Sequence, residues 1–442
     1  MLNKLKEIKT NKGFHKYFFN TSWLLFEKIF RMIISFFVGI WVARFLGPEQ
    51  FGLLNYSIAV VTLIGSFVQL GLSGLVVREL VKNPKDKDEI LGTTFYLRLI
   101  AGIVSCCLSI VLAYFLNTND DITVSMISII SLMLILQSFE TIDLWFQSKV
   151  QSKYIVFAKN FSLVGVSLGK VALILFKAPL IYFALIFLIE FILLAIAFVY
   201  VFKKDKQSIK NLKFNLKKAK FLLGKSWPLI LSSMAAAIYL KVDQLMLKQM
   251  AGDEAVGIFS VAVKLTEVWF FVPVAVVSSF FPTLIMLKKE NEKKYNLRLQ
   301  QIYDFLFLLA ISLAIPVSLF SDLAVKILYG KAYSNAGIIL TIQIWTAIFV
   351  FSRALLSKWL INEGLLIFSL VSHGLGALLN IGLNLILIPK FEGVGASIAT
   401  LASYSVSTVL FCFLNKKTRE AGLMMLRSYL TPFRYVLKKL KM

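Results

Sequence analysis

The chain of 442 residues is 58% hydrophobic and only 16% charged, with a mean hydropathy of +0.78. Soluble domains carry about 25% charged residues, so this composition excludes a soluble globular protein. Lys and Arg number 48 against 24 acids, and the net charge of +24 would indicate nucleic-acid binding in a soluble protein. Cys106, Cys107 and Cys412 lie within apolar runs and offer neither a disulfide framework nor a metal motif.

Apolar runs between charged residues and Gly, Pro or Asn breaks predict twelve membrane-spanning helices. The first run is longer than the apolar core of a signal peptide, so we expect it to be retained. In chain order the predicted spans are 17–44, 51–77, 90–116, 122–147, 154–177, 180–202, 221–249, 255–287, 300–327, 337–361, 365–388 and 393–414. The fold class predicted is therefore an all-α integral membrane protein.

The basic residues predict the orientation of these spans. About 33 Lys and Arg residues fall in one set of alternate connections and in the termini, against about 5 in the other set. Because positive residues accumulate on the cytoplasmic side, both termini are predicted to be cytoplasmic. The net charge is then explained by topology and by attraction to anionic inner-leaflet lipids, so no nucleic-acid partner is expected.

Two markers predict an internal repeat. GPEQFG at 47–52 and GDEAVG at 252–257 share the frame G-x-E-x-x-G at a distance of 205 residues, and Ser22-Trp23 and Ser226-Trp227 are 204 residues apart. An even number of spans separates the copies, so the repeat is parallel and places a substrate between the halves.

The longest cytoplasmic connection divides the spans into six and six. We predict an N-terminal lobe at 1–202, a basic linker at 203–220, a C-terminal lobe at 221–414 and a basic amphipathic tail at 415–442. The apolar side chains predicted to place that tail on the membrane surface are Leu423, Leu426, Tyr429, Phe433 and Leu437, among Arg427, Arg434, Lys438 and Lys439.

Four blocks in order carry a resemblance to a known family. They are ARFLGPEQFG at 43–52 with Tyr56-Ser57, DQLML at 243–247 with VGIF at 256–259, YGKAY at 329–333, and Asn380 to Asn384 with Pro389 and GVGASIAT at 393–400. Together they resemble the Wzx-type O-antigen and polysaccharide repeat-unit flippases of the MOP superfamily.

The resemblance implies a V-shaped pair of six-helix bundles in the bacterial inner (plasma) membrane. It implies alternating access that turns oligosaccharide units linked to undecaprenyl pyrophosphate from the inner to the outer leaflet, for O-antigen of lipopolysaccharide or another surface polysaccharide. A polysaccharide polymerase and a chain-length regulator are the protein partners that it implies.

Ionisable residues within the spans form the candidate site, because a charged side chain at mid-membrane costs about 2.5–3.5 kcal/mol and normally faces a wet cavity or a partner. Cations outnumber acids among them, which suits an anionic pyrophosphate. The candidate substrate-binding cations are Arg31, Arg98, Lys170, Lys241, Lys264 and Arg353, and the candidate coupling or gating acids are Glu27, Asp243 and Glu267.

Four of the six cations also have a purely structural alternative. Arg31 lies four residues after Glu27 and is able to pair with it, and Lys241 and Lys264 are able to pair with Asp243 or Glu267. Arg353 is able to neutralise Glu140 or Asp143 at the inner end of the fourth span. Glu27, the most central acid, is the first candidate for coupling to an ion gradient.

Enzymatic functions are disfavoured. The sequence has no G-x-x-x-x-G-K-[ST] loop, so we expect no ATP hydrolysis, and we expect no cofactor or metal. A polymerase or glycosyltransferase would need a long extracytoplasmic loop, and a lipid II flippase two further helices. The principal alternative is a MATE-like, ion-coupled drug or metabolite exporter, which would need an unpaired acid on the first helix.

Overall fold

The structure, a computed structural model, describes residues 12–118 and 120–431. Within these ranges the chain is helical and has no β-strand. The α-helices are α1 Lys12–Gly65, α2 Ser73–Lys82, α3 Lys87–Leu116, α4 Asp121–Ser131, α5 Met133–Leu136, α6 Thr141–Ser148, α7 Ser152–Leu175, α8 Ile181–Lys204, α9 Leu216–Glu267, α10 Phe271–Glu290, α11 Glu292–Leu319, α12 Ser321–Tyr329, α13 Ala336–Gln343, α14 Thr346–Asn362, α15 Leu366–Thr408 and α16 Arg419–Tyr429.

Nine apolar ranges of the described chain are long enough to cross a membrane. Three of them hold 44, 66 and 48 residues. A straight helix of 44 residues would run about 66 Å, twice the thickness of the hydrocarbon core. In these three ranges α1, α9 and α15 break at Gly47, Gly252 and Glu392, where the backbone leaves helical geometry. Each range therefore supplies two crossings, which gives the twelve that the sequence predicts.

The second predicted span, 51–77, is interrupted. Helix α1 ends at Gly65, and a turn with positive φ at Leu70 and Gly71 precedes α2. A Cβ at Gly71 would lie 2.6 Å from the Cβ of Leu229 on α9, so glycine serves both the left-handed backbone and the close approach. The helix breaks where the chain must pass close to α9.

The described residues divide into two compact units. Unit one contains the chain up to Leu46 together with Ser57–Met234, and unit two contains Gly47–Tyr56 together with the chain from Ala235. The tip of the first hairpin thus packs in unit two, although the helices that lead to it belong to unit one. These are units of packing, and the lobe boundaries given above remain predictions.

Segment 203–220 is fastened to the start of α3 in unit one. Lys213 N donates to Asp88 O at 3.1 Å, and Lys218 Nζ lies 2.8 Å from Asp86 Oδ2 and 3.0 Å from Glu89 Oε2. A Cβ at Gly92 would lie 2.4 Å from the backbone of Lys213, so only glycine permits this contact. The basic linker is therefore an ordered strap on α3.

The repeated hairpin tips share one backbone conformation. Gly47 has φ 71° and ψ 172°, and Gly252 has φ 85° and ψ −177°. Both values lie in a region that favours glycine. The two turns, 205 residues apart in the sequence, are equivalent as the repeat predicts.

The same tips pack on each other reciprocally. A Cβ at Gly52 would lie 1.8 Å from Asp253 O, and a Cβ at Gly257 would lie 1.9 Å from Pro48 O. Gly52 and Gly257 are equivalent in the repeat, and so are Pro48 and Asp253. The second glycine of each frame is therefore needed because the other copy's backbone touches it.

Helix α16 covers only the first part of the predicted tail helix. Met424 and Met425 pack into the core of unit two, while Leu423 and Leu426 are exposed. The exposed pair agrees with a membrane-facing surface, which remains a prediction. The other residues of the predicted stripe, Phe433, Arg434, Leu437, Lys438 and Lys439, lie outside the described residues, as does the basic leader before Lys12.

Candidate functional site

Arg31 and Glu27 form an ion pair on one face of α1. Arg31 Nε lies 2.8 Å from Glu27 Oε1, as their spacing of four residues allows. The Glu27 side chain is 10% exposed, whereas Arg31 retains 35% of its accessible surface. The ion pair with Glu27 is therefore formed, and about a third of the Arg31 side chain stays exposed.

A second acid, Glu190 on α8, was not among the candidates from the sequence. Its Oε1 lies 3.5 Å from Arg31 Nη1, and its charge attracts Lys170 on α7. A Cβ at Gly169 would lie 2.5 Å from the side chain of Ile186, so α7 and α8 approach closely at the depth of Lys170. Glu190 is the sole acid of α8, and that was the signal available in the sequence.

Arg98 lies in a separate buried cluster of unit one. Its side chain is 1% exposed, and Nη2 donates to Gln69 Oε1 at 3.2 Å and to Ser73 Oγ at 3.1 Å. Gln69 in turn donates to Glu140 Oε2 at 2.8 Å. Arg98 thus ties α3 to the turn before α2 and to the segment before α6, and substrate contact would require it to be uncovered.

Arg353 is buried among the serines of unit two. Nη1 donates to the Ser407 carbonyl oxygen at 3.1 Å, and Nη2 donates to Ser369 Oγ at 3.2 Å and Ser372 Oγ at 3.0 Å. These bonds join α14 to α15, so the contacts observed for Arg353 are structural.

The acids that the sequence offered as alternative partners of Arg353 have other partners. Asp143 Oδ2 lies 2.7 Å from Lys159 Nζ, and Glu140 accepts from Gln69. Lys159 is therefore engaged in an ion pair within unit one.

Asp243 is a carboxylate held by neutral donors. Its side chain is buried, Asn384 Nδ2 donates to Oδ1 at 2.6 Å, and Thr400 Oγ1 lies 2.6 Å from Oδ2. The Thr400 hydroxyl also lies 2.9 Å from the Ala396 carbonyl oxygen, yet it has one proton for the two acceptors. A protonated Asp243 would satisfy both, because it would donate to Thr400 while Thr400 donates to Ala396.

Asp243 and Glu267 line one small cavity of unit two. Its volume is about 20 Å³, enough for one water molecule or a small cation, and Tyr239, Gln343 and Tyr404 also line it. Gln343 Oε1 and Asn384 Oδ1 are buried and have no hydrogen-bond partner in the described part of the chain. Asp243, Glu267 and Gln343 thus bring oxygen-bearing side chains to this cavity, and Asn384 lies behind Asp243.

Lys241 and Lys264 lie on either arm of the same hairpin. Lys241 is half-buried and attracts Asp243 electrostatically. Lys264 Nζ lies 4.3 Å from the ring centroid of Phe51, which is 2% exposed. Lys264 therefore helps to hold the tip of the first hairpin in unit two through a cation–π contact.

The candidate residues form separate clusters within the units. In unit one, Glu27 and Glu190 both pair with Arg31, Glu190 also attracts Lys170 electrostatically, and Arg98 is apart from them. In unit two, Asp243 and Glu267 share the small cavity, while Lys264 and Arg353 have contacts of their own.

Solved transporters share this fold. The chain matches an inward-facing multidrug resistance MATE family transporter of the MOP superfamily with a TM-score of 0.70 at 12% identity, over 92% of this chain and 96% of that one. It matches lipid II flippase MurJ in an inward closed conformation with a TM-score of 0.66 at 14% identity, over 94% and 93%. At these identities the likeness shows the fold alone. The twelve crossings and this likeness give the chain the fold of the MOP-type transporters.

Sequence comparison gives the family. Residues 18–288 match the family described as polysaccharide biosynthesis protein. Over 423 residues the chain is 23% identical to capsular polysaccharide biosynthesis protein CapF of Staphylococcus aureus, which covers 90% of this chain and 99% of that one. The chain belongs to the polysaccharide biosynthesis protein family, which together with the shared fold confirms the resemblance to MOP-superfamily polysaccharide flippases.

Proposed function

We propose that the protein flips oligosaccharide repeat units linked to undecaprenyl pyrophosphate from the inner to the outer leaflet by alternating access. The observation that carries the proposal is the partly exposed Arg31, held within a membrane-spanning helix. Family membership and the fold shared with a lipid II flippase support a lipid-linked cargo. The products would be O-antigen or another surface polysaccharide.

The pyrophosphate is the part of the substrate that the charged residues suit. Arginine offers a planar fork to phosphate oxygens, and lysine offers a point charge. Arg31 on α1 and Lys170 on α7 provide one of each around the same acid, so they are the first candidates for direct contact. Lys241 and Lys264 are candidates for pyrophosphate contact in the second half of the chain. Arg98 and Arg353 join the surrounding helices through hydrogen bonds.

Transport energy is proposed to enter through Asp243. A buried carboxylate with neutral donors favours taking up a proton or a small cation, and the cavity beside it admits either. Uptake would remove the negative charge between α9 and α15 and so change their packing. Glu267 lines the same cavity and is the second gating acid. Glu27 orients the guanidinium group of Arg31.

A MATE-like exporter remains the second candidate, since the fold is shared with one. The exporter hypothesis requires an unpaired acid on the first helix. Glu27 is instead bonded to Arg31 at 2.8 Å, which favours an anionic cargo.

The charge asymmetry supports insertion in a bacterial inner membrane with both termini cytoplasmic, near the inner-leaflet lipids and a polysaccharide polymerase and chain-length regulator. The test is complementation of a strain that lacks its own repeat-unit flippase. The wild-type gene should restore surface glycan, and an expressed Arg31→Gln variant should accumulate the lipid-linked unit. Unchanged glycan with altered drug sensitivity would support the exporter instead.

A further inference from the structure

Glu190 is a lone acid in an apolar membrane-spanning helix, and its side chain is 19% exposed. An ionised side chain at that depth is costly unless cations neutralise it. Arg31 and Lys170 supply those cations from two other helices, α1 and α7. Together with Glu27 they form a cluster of two acids and two cations.

The two acids bind Arg31 with different geometry. Glu27 accepts from Nε at 2.8 Å, within the usual range of a charge-assisted hydrogen bond. Glu190 approaches Nη1 at 3.5 Å, beyond that range. The contact with Glu190 is therefore the looser of the two ion pairs, and it occupies Nη1, while Nη2 donates to the Lys159 carbonyl oxygen at 3.5 Å.

We infer that Glu190 is an internal counter-ion that the pyrophosphate of the substrate displaces from Arg31 and Lys170. The inference rests on the proposed function and adds a residue to its substrate site. Glu27 stays bonded to Nε and keeps the guanidinium oriented, while pyrophosphate oxygens replace Glu190 at Nη1. The neighbouring Lys159 is committed to Asp143 and does not take part through its ammonium group.

A displaceable counter-ion also promotes release of the substrate. A transported ion must bind strongly enough to enter and weakly enough to leave. When the site opens to the outer leaflet, Glu190 interacts again with the two cations, and the affinity for the departing pyrophosphate falls. Glu190 is thus a positioning residue that sets how tightly the head group is held.

The experiment measures binding of farnesyl pyrophosphate, a soluble polyprenyl pyrophosphate, to the purified full-length protein, with farnesol as the control for the apolar chain. Glu190→Gln should lower the Kd about tenfold, equivalent to about 1.4 kcal/mol, because the competing anion is gone. The Kd of Glu190→Asp, which keeps the charge on a shorter side chain, should lie between those of wild type and Glu190→Gln. Glu27→Gln removes the same charge but turns the charge-assisted bond that orients Arg31 into a weaker neutral one, so it should tighten binding less than Glu190→Gln does.

The outcomes separate the inference from the function on which it rests. Equal Kd values for Glu190→Gln and wild type, or equal tightening by Glu27→Gln, would overturn the displaced counter-ion and leave the flippase proposal standing. Wild-type protein that binds farnesyl pyrophosphate no better than farnesol would overturn both. Thermal unfolding of each variant shows whether it is folded. If Glu190→Gln does not fold, the charged variant Glu190→Asp provides a second test.

Discussion

Replacement of Gly257 by alanine should loosen the contact between the repeated hairpin tips. The new Cβ would lie 1.9 Å from Pro48 O, whereas carbon and carbonyl oxygen normally approach to about 3.3 Å. The two tips must therefore separate by about 1.4 Å or distort. Overpacking of this kind costs about 1–3 kcal/mol. With about 2–4 °C per kcal/mol for a large domain, the thermal midpoint should fall by roughly 2 to 12 °C.

The matched control lies on the same helix. Gly224 is also in α9, and a Cβ there meets nothing within 4 Å. Gly224→Ala should leave the midpoint unchanged or raise it, because alanine is the better helix former. Gly52→Ala, the repeat-related change, should resemble Gly257→Ala, since its Cβ would lie 1.8 Å from Asp253 O. Fluorescence-detected thermal unfolding of the detergent-purified variants provides the values. Equal midpoints for Gly257→Ala and Gly224→Ala would refute reciprocal packing of the tips.

Three further predictions concern the strap and the buried polar clusters. Gly92→Ala, whose Cβ would lie 2.4 Å from the Lys213 backbone, should expose the linker to trypsin; an unchanged cleavage rate would show that the strap is not bound there. Asp243→Ala leaves two buried donors without their acceptor and should cost about 1–3 kcal/mol on unfolding, against a smaller loss for Asp243→Asn, and equal losses would contradict the hydrogen bonds described. Arg353→Ala should lower the thermal midpoint more than the same change at the exposed Arg78, and the reverse order would contradict its role in joining α14 to α15.

The fold was largely predictable because membrane spans leave strong local signals. Long apolar runs gave the twelve crossings, and the frame around Gly47 and Gly252 marked equivalent turns with positive φ. The break at Leu70 and Gly71 was not predicted, because it depends on a contact with Leu229, which is distant in the sequence. The placement of Gly47–Tyr56 in unit two likewise depends on tertiary packing.

The candidate site was predictable in its composition and less so in its pairing. The bond between Glu27 and Arg31 follows from a spacing of four residues. The contact of Arg31 with Glu190 joins two helices and cannot be derived from spacing. Arg353 was a candidate because it is charged within a span, but only the structure shows that serine hydroxyls accept hydrogen bonds from it.

The most direct test of the central claim is flipping in proteoliposomes that contain an oligosaccharide linked to undecaprenyl pyrophosphate. Conversion of the sugar by an enzyme added outside reports how much lipid has reached the outer leaflet. We expect wild-type protein and the variant Arg78→Gln, at an exposed arginine, to make the whole pool accessible, and Arg31→Gln to leave about half of it protected. Full accessibility with Arg31→Gln, or none with wild type, would contradict a flippase that works through this cation.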